Sequence, residues 1–290
     1  MIGIDAAWRA GHPLPMPAGE TSKNSRGQVL VIGGARRVPG AVTLSAEAAL
    51  RVGAGKVRIA TLDAVALMLG VAMPEIGVIG LPEDAAGEIA VGDNQALAET
   101  LARVDTVVIG PGMGDKQAAA AMVRWAVPRL GAETVLLLDG AAVATAGTLD
   151  DVLAGLAGRL ILTPHPGEMA SLMDRDAEAI EADPEGTAVA AARRFGATVA
   201  FKRSATMVAG PDAEPLHYPG GGVGLATGGS GDVLAGAIAG LAARRAAPVE
   251  ATAWGVWLHG EAGRSLAQRQ GPIGFLGREL PPLLTTLLPR

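Results

Sequence analysis

Short, unbroken apolar runs that stop at glycine or proline recur along this 290-residue chain, and no other feature constrains its fold so strongly. VLVIGG at 29–34 is the first; KVRIAT at 56–61, TVVIGPGMG at 106–114, TVLLLDG at 134–140 and RLILTPHPGE at 159–168 follow. A strand covered on both faces is apolar throughout, whereas a strand with one wet face alternates. Stretches with helical spacing lie between the runs, at 41–52, 116–129, 183–195, 233–244 and 250–268. This alternation predicts an α/β fold in three layers, with a mostly parallel central sheet and helices on both faces. TVAFKR at 198–203 and MVAG at 207–210 predict a hairpin or strand pair. Residues 1–27, rich in Pro, Gly and polar residues, read as an irregular arm. No composition break or internal repeat interrupts the pattern, so one domain over 1–290 is expected.

Composition narrows the function classes. Apolar residues make up 49% of the chain and aromatics only 3%, beside 41 glycines, which suits tight packing of small aliphatics and argues against disorder. The net charge of −5, with no basic run, gives nucleic-acid binding no electrostatic support. The absence of cysteine excludes disulfides, thiolate catalysis and Cys-ligated metals. With no signal-peptide pattern and no span of about 18 apolar residues, a cytoplasmic protein without membrane contact is expected.

In sheets of this kind ligands gather at the carboxyl ends of strands. GGARRVPGA, GPGMG, DG, TPHPGE and KRSAT all fall there. The densest motif is GGGVGLATGGSGDVLAG at 220–236, just before an apolar helix predicted to start near Asp232. Glycines at 228, 229 and 231 permit close backbone approach by a ligand. Their N–H groups and the helix start form a donor site for an anion, to which Thr227 and Ser230 can add hydroxyls. This is not the P-loop pattern, because no Lys-Ser/Thr follows the glycines. Asp232 has two readings there: an acid favouring the helix dipole, or a base beside a transferred phosphoryl group.

Other rim residues have paired readings too. Lys202 and Thr206 could hold phosphate, or Lys202-Arg203 could be a solvated pair. His165, rigid between two prolines, could face a ligand or cap the next helix; no second His or Cys at ligand spacing supports zinc. Glu168 could serve magnesium or the helix start, and Asp139 a substrate or a turn. His259 and Glu261 read as structural. Trp254 and Trp257 share a helix face, which suits core or subunit contact.

GGSGD followed by VLAG resembles the anion-hole motif of the ribokinase-like superfamily. ATGGSGDVLAGAIAGLAA, GAVTLSAEAALRVGAGKV, GPGMG, TPHPGEMASLM and KRSAT together resemble the ADP/ATP-dependent NAD(P)H-hydrate dehydratases, in order and spacing, over about residues 20–265. The resemblance implies a ribokinase-like three-layer fold and repair of the S-form of hydrated NADH or NADPH. In that chemistry ADP or ATP, with Mg2+, phosphorylates the ring hydroxyl, and phosphate then leaves. It implies Asp232 as catalytic base, and Ala41, Gly114, His165 and Asp232 as contacts for the hydrated dinucleotide. It implies Lys202, Arg203, Ser204, Ala205, Thr206 and Gly231 as nucleotide contacts, and Gly229, Ser230 and Gly231 as the anion hole; the metal ligands stay unassigned. Arg203 stands where the family usually has glycine, so it either narrows the pocket or adds a cation. Asp139-Gly140-Ala141 lacks the second acid of the usual Asp-Ala-Asp. A homo-oligomer, a tetramer as in relatives, and a separate epimerase partner are expected, since the sequence starts too near its first dehydratase block to hold an epimerase domain. The alternatives are a small-alcohol (vitamin-precursor) kinase of the same superfamily and a catalytically silent nucleotide sensor.

Overall fold

The computed structural model describes residues 1–16 and 21–289. Ten strands form one sheet among the described residues: β1 (Ile2–Gly3), β2 (Gln28–Ile32), β3 (Lys56–Leu62), β4 (Gly77–Leu81), β5 (Thr106–Ile109), β6 (Val135–Leu138), β7 (Leu160–Leu162), β8 (Thr198–Phe201), β9 (Thr206–Ala209) and β10 (Leu216–Tyr218). Across the sheet the order is β1-β10-β9-β8-β7-β6-β5-β2-β3-β4. Neighbours run parallel except at β9, which is antiparallel to β8 and to β10. The predicted strand pair is therefore the antiparallel element, with Val199 opposite Ala209.

The unbroken apolar runs are buried on both faces, as their pattern requires. Val29 and Val31 of β2 face one core, Leu30 and Ile32 the other. The first core is closed by the helices Ala41–Arg51, Ser230–Ala243, Pro248–Gln270 and Pro281–Leu287. The second is closed by Gln95–Leu101, Lys116–Ala126, Pro166–Met173 and Pro184–Phe195. This is the expected three-layer arrangement. Small residues let the first layer pack backbone to backbone: a side chain on Gly236 would collide with the Ser45 carbonyl.

The strand order reverses between β2 and β5, because β3 and β4 extend one way from β2 while β5 through β8 extend the other. In sheets of this kind such a reversal, at the strands' carboxyl ends, is where a ligand crevice is expected. Two bonds join the loops that leave β2 and β5: Gly34 N–H to the Pro111 carbonyl (2.8 Å) and Ala35 N–H to the Gly112 carbonyl (3.0 Å). Gly112 has φ 69°, and a Cβ there would come within 2.9 Å of the Ala41 Cβ. Only glycine lets the β5 exit lie so close to the helix start at Ala41.

One expectation is corrected and one made sharper. Residues 1–27 are not simply an irregular arm: β1 pairs with β10, and Ala6–Gly11 is a helix whose N-cap Asp5 accepts the Trp8 N–H at 2.9 Å. Trp8 is buried and Trp254 Nε1 donates to the His12 carbonyl (2.7 Å), so burial of one aromatic outweighs the polar composition around it; residues 17–20 lie outside the described part. The helix expected to start near Asp232 starts at Ser230, because Gly229 in the left-handed region supplies the N-cap.

Candidate active site

Gly229 has φ 87°, and a Cβ on it would collide with Leu44. A glycine is thus required both by the backbone and by the neighbouring helix. Beyond it, Ser230, Gly231 and Asp232 form the first turn. The N–H groups of Gly231 and Asp232 have no hydrogen-bond partner among the described residues, as expected of donors at an open helix start. The Ser230 hydroxyl has a partner of its own. It lies 2.9 Å from Nε2 of His259, both residues being buried, so it points into the core. Burial pulls His259 down to about 4, and its ring is neutral near pH 7.

Asp232 is partly buried, and its main-chain carbonyl accepts the Ser45 hydroxyl at 2.8 Å. Burial, helped by the charge of Asp139, pushes its carboxyl up to about 7, against the pull of Lys202. A carboxyl in that range changes protonation readily near neutral pH, as a base in proton transfer requires.

Lys202 follows β8 and reaches across the sheet's carboxyl edge. Its Nζ lies 2.6 Å from Asp139 Oδ1 and 3.8 Å from Glu168 Oε2, and a Cβ on Gly231 would be 3.6 Å from it. Burial alone would lower this ammonium, but Asp139, Glu168 and Asp232 reverse that and hold it above the usual lysine range. Asp139, at the end of β6, also accepts the Thr163 hydroxyl at 2.7 Å. Glu168 is pushed up to about 7 by burial and Asp139, against Lys202 and Lys116. The exits of β6, β7 and β8 and one helix start thus bring Asp139, Glu168, Lys202 and Asp232 together.

His165 takes the capping geometry. Its Nδ1 accepts the N–H groups of Gly167 (3.0 Å) and Glu168 (3.3 Å), while Glu168 Oε2 accepts the His165 N–H (2.8 Å). With Nδ1 accepting, the ring proton sits on Nε2, which faces Glu168 Oε1 at 3.3 Å. More than half of the side chain, 56%, stays exposed, so the ring face is open at the rim. Glu168 serves the helix start, one of the two readings open from sequence.

Within 202–206, Arg203 ion-pairs with Glu181 and lies 5.8 Å over the Phe201 ring. It therefore faces the helix Ala177–Ala182, its charge already matched, and does not add a free cation. Ser204 is exposed, and its carbonyl sits where a side chain on Gly220 would be. Ala205 and Thr206 are partly buried, with Thr206 opposite Tyr218 at the start of β9. The 202–206 segment and the glycine loop meet through that contact. Glu261 accepts the Tyr218 hydroxyl (2.7 Å), and Arg264 donates to the Gly220 carbonyl (2.7 Å), which fits the structural reading of this helix. Trp254 is buried and meets Trp257 edge-on at 5.6 Å, with Arg9 3.8 Å over Trp257.

Ala41 and Gly114 lie at the switch point between β2 and β5. Helix Ala41–Arg51 connects them to Asp232, since Leu44 packs at Gly229 and Ser45 bonds Asp232. Gly114 N–H and Asp115 N–H both donate to Glu88 Oε1, at 3.0 and 3.1 Å. Nothing in the sequence marks Glu88 or Thr163 for these roles; each is legible only once distant segments are adjacent.

Among the described residues no three acidic or imidazole groups converge on a metal position, so the described chain builds no magnesium cage of its own. No described helix is long and apolar enough to cross a membrane.

Residues 29–285 match the sequence model of a family described as NAD(P)H-hydrate dehydratase. The chain is 46% identical to the ADP-dependent (S)-NAD(P)H-hydrate dehydratase of Xanthomonas campestris, covering 99% of this chain and 96% of that protein. It is 38% identical to the bifunctional NAD(P)H-hydrate repair enzyme Nnr of Moorella thermoacetica, covering 96% of this chain but 52% of that protein. The Bacillus subtilis ADP/ATP-dependent NAD(P)H-hydrate dehydratase, co-crystallised with ATP and Mg2+, superposes with a TM-score of 0.74 at 26% identity over 94% of this chain and 92% of that one.

Proposed function

The chain belongs to the NAD(P)H-hydrate dehydratase family, and from that premise we propose that it converts the S-form of hydrated NADH and NADPH back to NADH and NADPH while consuming an adenine nucleotide. The observation that carries the reading is Asp232, held at an open helix start beside Lys202 with its carboxyl poised near 7. Asp232 takes the proton of the ring hydroxyl as that oxygen attacks the terminal phosphorus. Gly229, the Gly231 and Asp232 amides, and Lys202 face the charge that builds on the phosphoryl oxygens. The bond to the departing nucleotide breaks, leaving a phosphate ester on the ring. The ring-nitrogen lone pair then expels phosphate, and loss of the adjacent ring proton restores the double bond. Phosphorylation is needed because hydroxide is a poor leaving group and phosphate a good one.

Lys202, the main chain of 203–206 and Gly231 serve the nucleotide; Ala41, Gly114 and the open face of His165 serve the hydrated dinucleotide. The Xanthomonas relative's name specifies ADP, and we carry that donor preference to this chain, with ATP as the alternative. Mg2+ is expected to arrive on the nucleotide's phosphate oxygens, where it would neutralise charge, with at most one or two carboxylates of the chain. The bifunctional relatives, in a chain about twice as long, point to an epimerase as functional partner. A homo-oligomer and a cytoplasmic location complete the proposal.

Hydrated NADH mixed with protein, ADP or ATP and Mg2+ tests it. Return of the reduced-nicotinamide absorbance, with release of AMP or ADP and phosphate, is expected. Nucleotide binding without turnover would instead identify a sensor, and phosphorylation of a small alcohol with no absorbance change a kinase.

A further inference from the structure

The segment between β4 and the helix Gln95–Leu101 folds back on itself beside the loops that leave β2 and β5. Glu83 and Ile89 form an isolated antiparallel bridge, and Asp84 closes the turn by accepting the N–H groups of Ala86 (2.8 Å) and Glu88 (2.9 Å). This turn grips both loops. On the β2 side the Gly87 carbonyl accepts the Arg36 N–H at 2.8 Å, and Glu83 ion-pairs with the Arg36 side chain. On the β5 side Glu88 Oε1 accepts the two amides of Gly114 and Asp115. Glu88 is 7% exposed, and its second oxygen, Oε2, is buried with no hydrogen-bond partner among the described residues.

A carboxylate is an expensive choice for that position. Two amides on one oxygen need only a neutral acceptor, and a buried charge with an unpartnered oxygen costs stability. What the charge supplies is a stronger grip on the amides it holds. The segment it holds is the glycine loop that leaves β5, where Gly112 abuts Ala41.

We propose that Glu88 is a positioning residue for the hydrated dinucleotide: it fixes the Gly114–Asp115 backbone so that the β5 loop and the helix start at Ala41 form one rigid substrate face. The inference rests on the proposed dehydratase reading and adds to it a residue that touches no substrate. It separates the two ligands. Glu88 acts on the switch-point side, while the nucleotide segment 202–206 is tied to Gly220 on the other flank of Asp232.

The test measures wild type, Glu88→Ala, Glu88→Gln and Glu88→Asp with hydrated NADH and ADP. Glu88→Ala is expected to raise KM for the hydrated dinucleotide about ten- to a hundredfold, with nucleotide KM unchanged within about twofold. Glu88→Gln keeps a carbonyl acceptor but not the charge, so it recovers part of that KM and leaves it above wild type, without lowering Tm. If the alanine protein does not fold, Glu88→Asp decides: it keeps the charge but withdraws the oxygen by one methylene, and the same selective KM rise is expected. An unchanged dinucleotide KM in the folded Ala or Asp variant overturns the proposal, as does a parallel shift of both KM values. A wild-type protein that cannot restore NADH at all refutes the parent reading instead.

Discussion

Replacing Asp232 with Asn should make the protein more stable and almost inactive, with the stability gain depending on pH. Burial and Asp139 raise this carboxyl from 3.8 to about 7. Each tenfold change in proton affinity is about 1.4 kcal/mol, so keeping Asp232 ionised in the folded protein costs on the order of 4 kcal/mol. Water reaches part of the side chain, and screening leaves about 2–3 kcal/mol as the expectation. The sign follows from the direction of the change. Folding favours the protonated acid, so the contribution of Asp232 is intact below about pH 4, is lost progressively between about 4 and 7, and is absent above. Asn never ionises and keeps its contribution throughout. Melting at a series of pH values should therefore show the two proteins converging near pH 4, and the Asp232→Asn variant melting about 5 °C higher at pH 8, at about 2 °C per kcal/mol for a chain of this length. Turnover should fall about 10²–10⁴-fold, with ADP affinity equal or better because a like charge near the phosphates is gone. A stability difference that does not change with pH, or an active Asn variant, would refute the reasoning; equal loss of binding and turnover would make Asp232 a structural acid.

Three further outcomes follow from the same geometry. Lys202→Met removes the cation that lowers both Asp232 and Glu168, so kcat/KM should fall and the acid limb of its pH profile, near 7 in wild type, should move to higher pH. His165→Ala removes an N-cap and should cost about 1 kcal/mol of stability; His165→Asn should restore Tm while KM for the hydrated dinucleotide stays raised, read from melting and initial rates. Gly229→Ala meets both a φ of 87° and Leu44, and should weaken nucleotide binding, measured by calorimetry, at least about tenfold.

How far the fold can be read from sequence depends on how completely each strand is buried. β2, β5, β6 and β8 are covered on both faces, and only an unbroken apolar run meets that demand. The edge strand β4, GVIGL, is mostly half-exposed and carries no unbroken apolar run to mark it, while β1 has two residues and needs β10 beside it to exist. The glycine loop is legible for a local reason, since a helix start that must admit an anion tolerates little besides glycine. Pairings are not. Lys202 and Asp139 are 63 positions apart, and nothing near either residue names the other. Arg203 is left between narrowing the pocket and adding a cation because its partner, Glu181, lies on a helix the pattern does not resolve. The contact of Ser230 with His259, 29 positions downstream, is equally unmarked.

The pairing at Lys202 resolves an apparent conflict in the site. Three acids surround the place proposed for the polyphosphate, and three full negative charges there would repel it. Two of the three are not fully charged near neutrality, because burial holds Asp232 and Glu168 at about 7. The third, Asp139, is matched by the ammonium it bonds at 2.6 Å. That same ammonium lies beside Gly231, 3.6 Å from where a Cβ on that residue would sit. Asp139 thus acts chiefly by keeping Lys202 charged and in place. It follows that Asp139, with Glu168 and Asp232 nearby, keeps the lysine charged here, and a second carboxylate at Ala141 is not required to hold it.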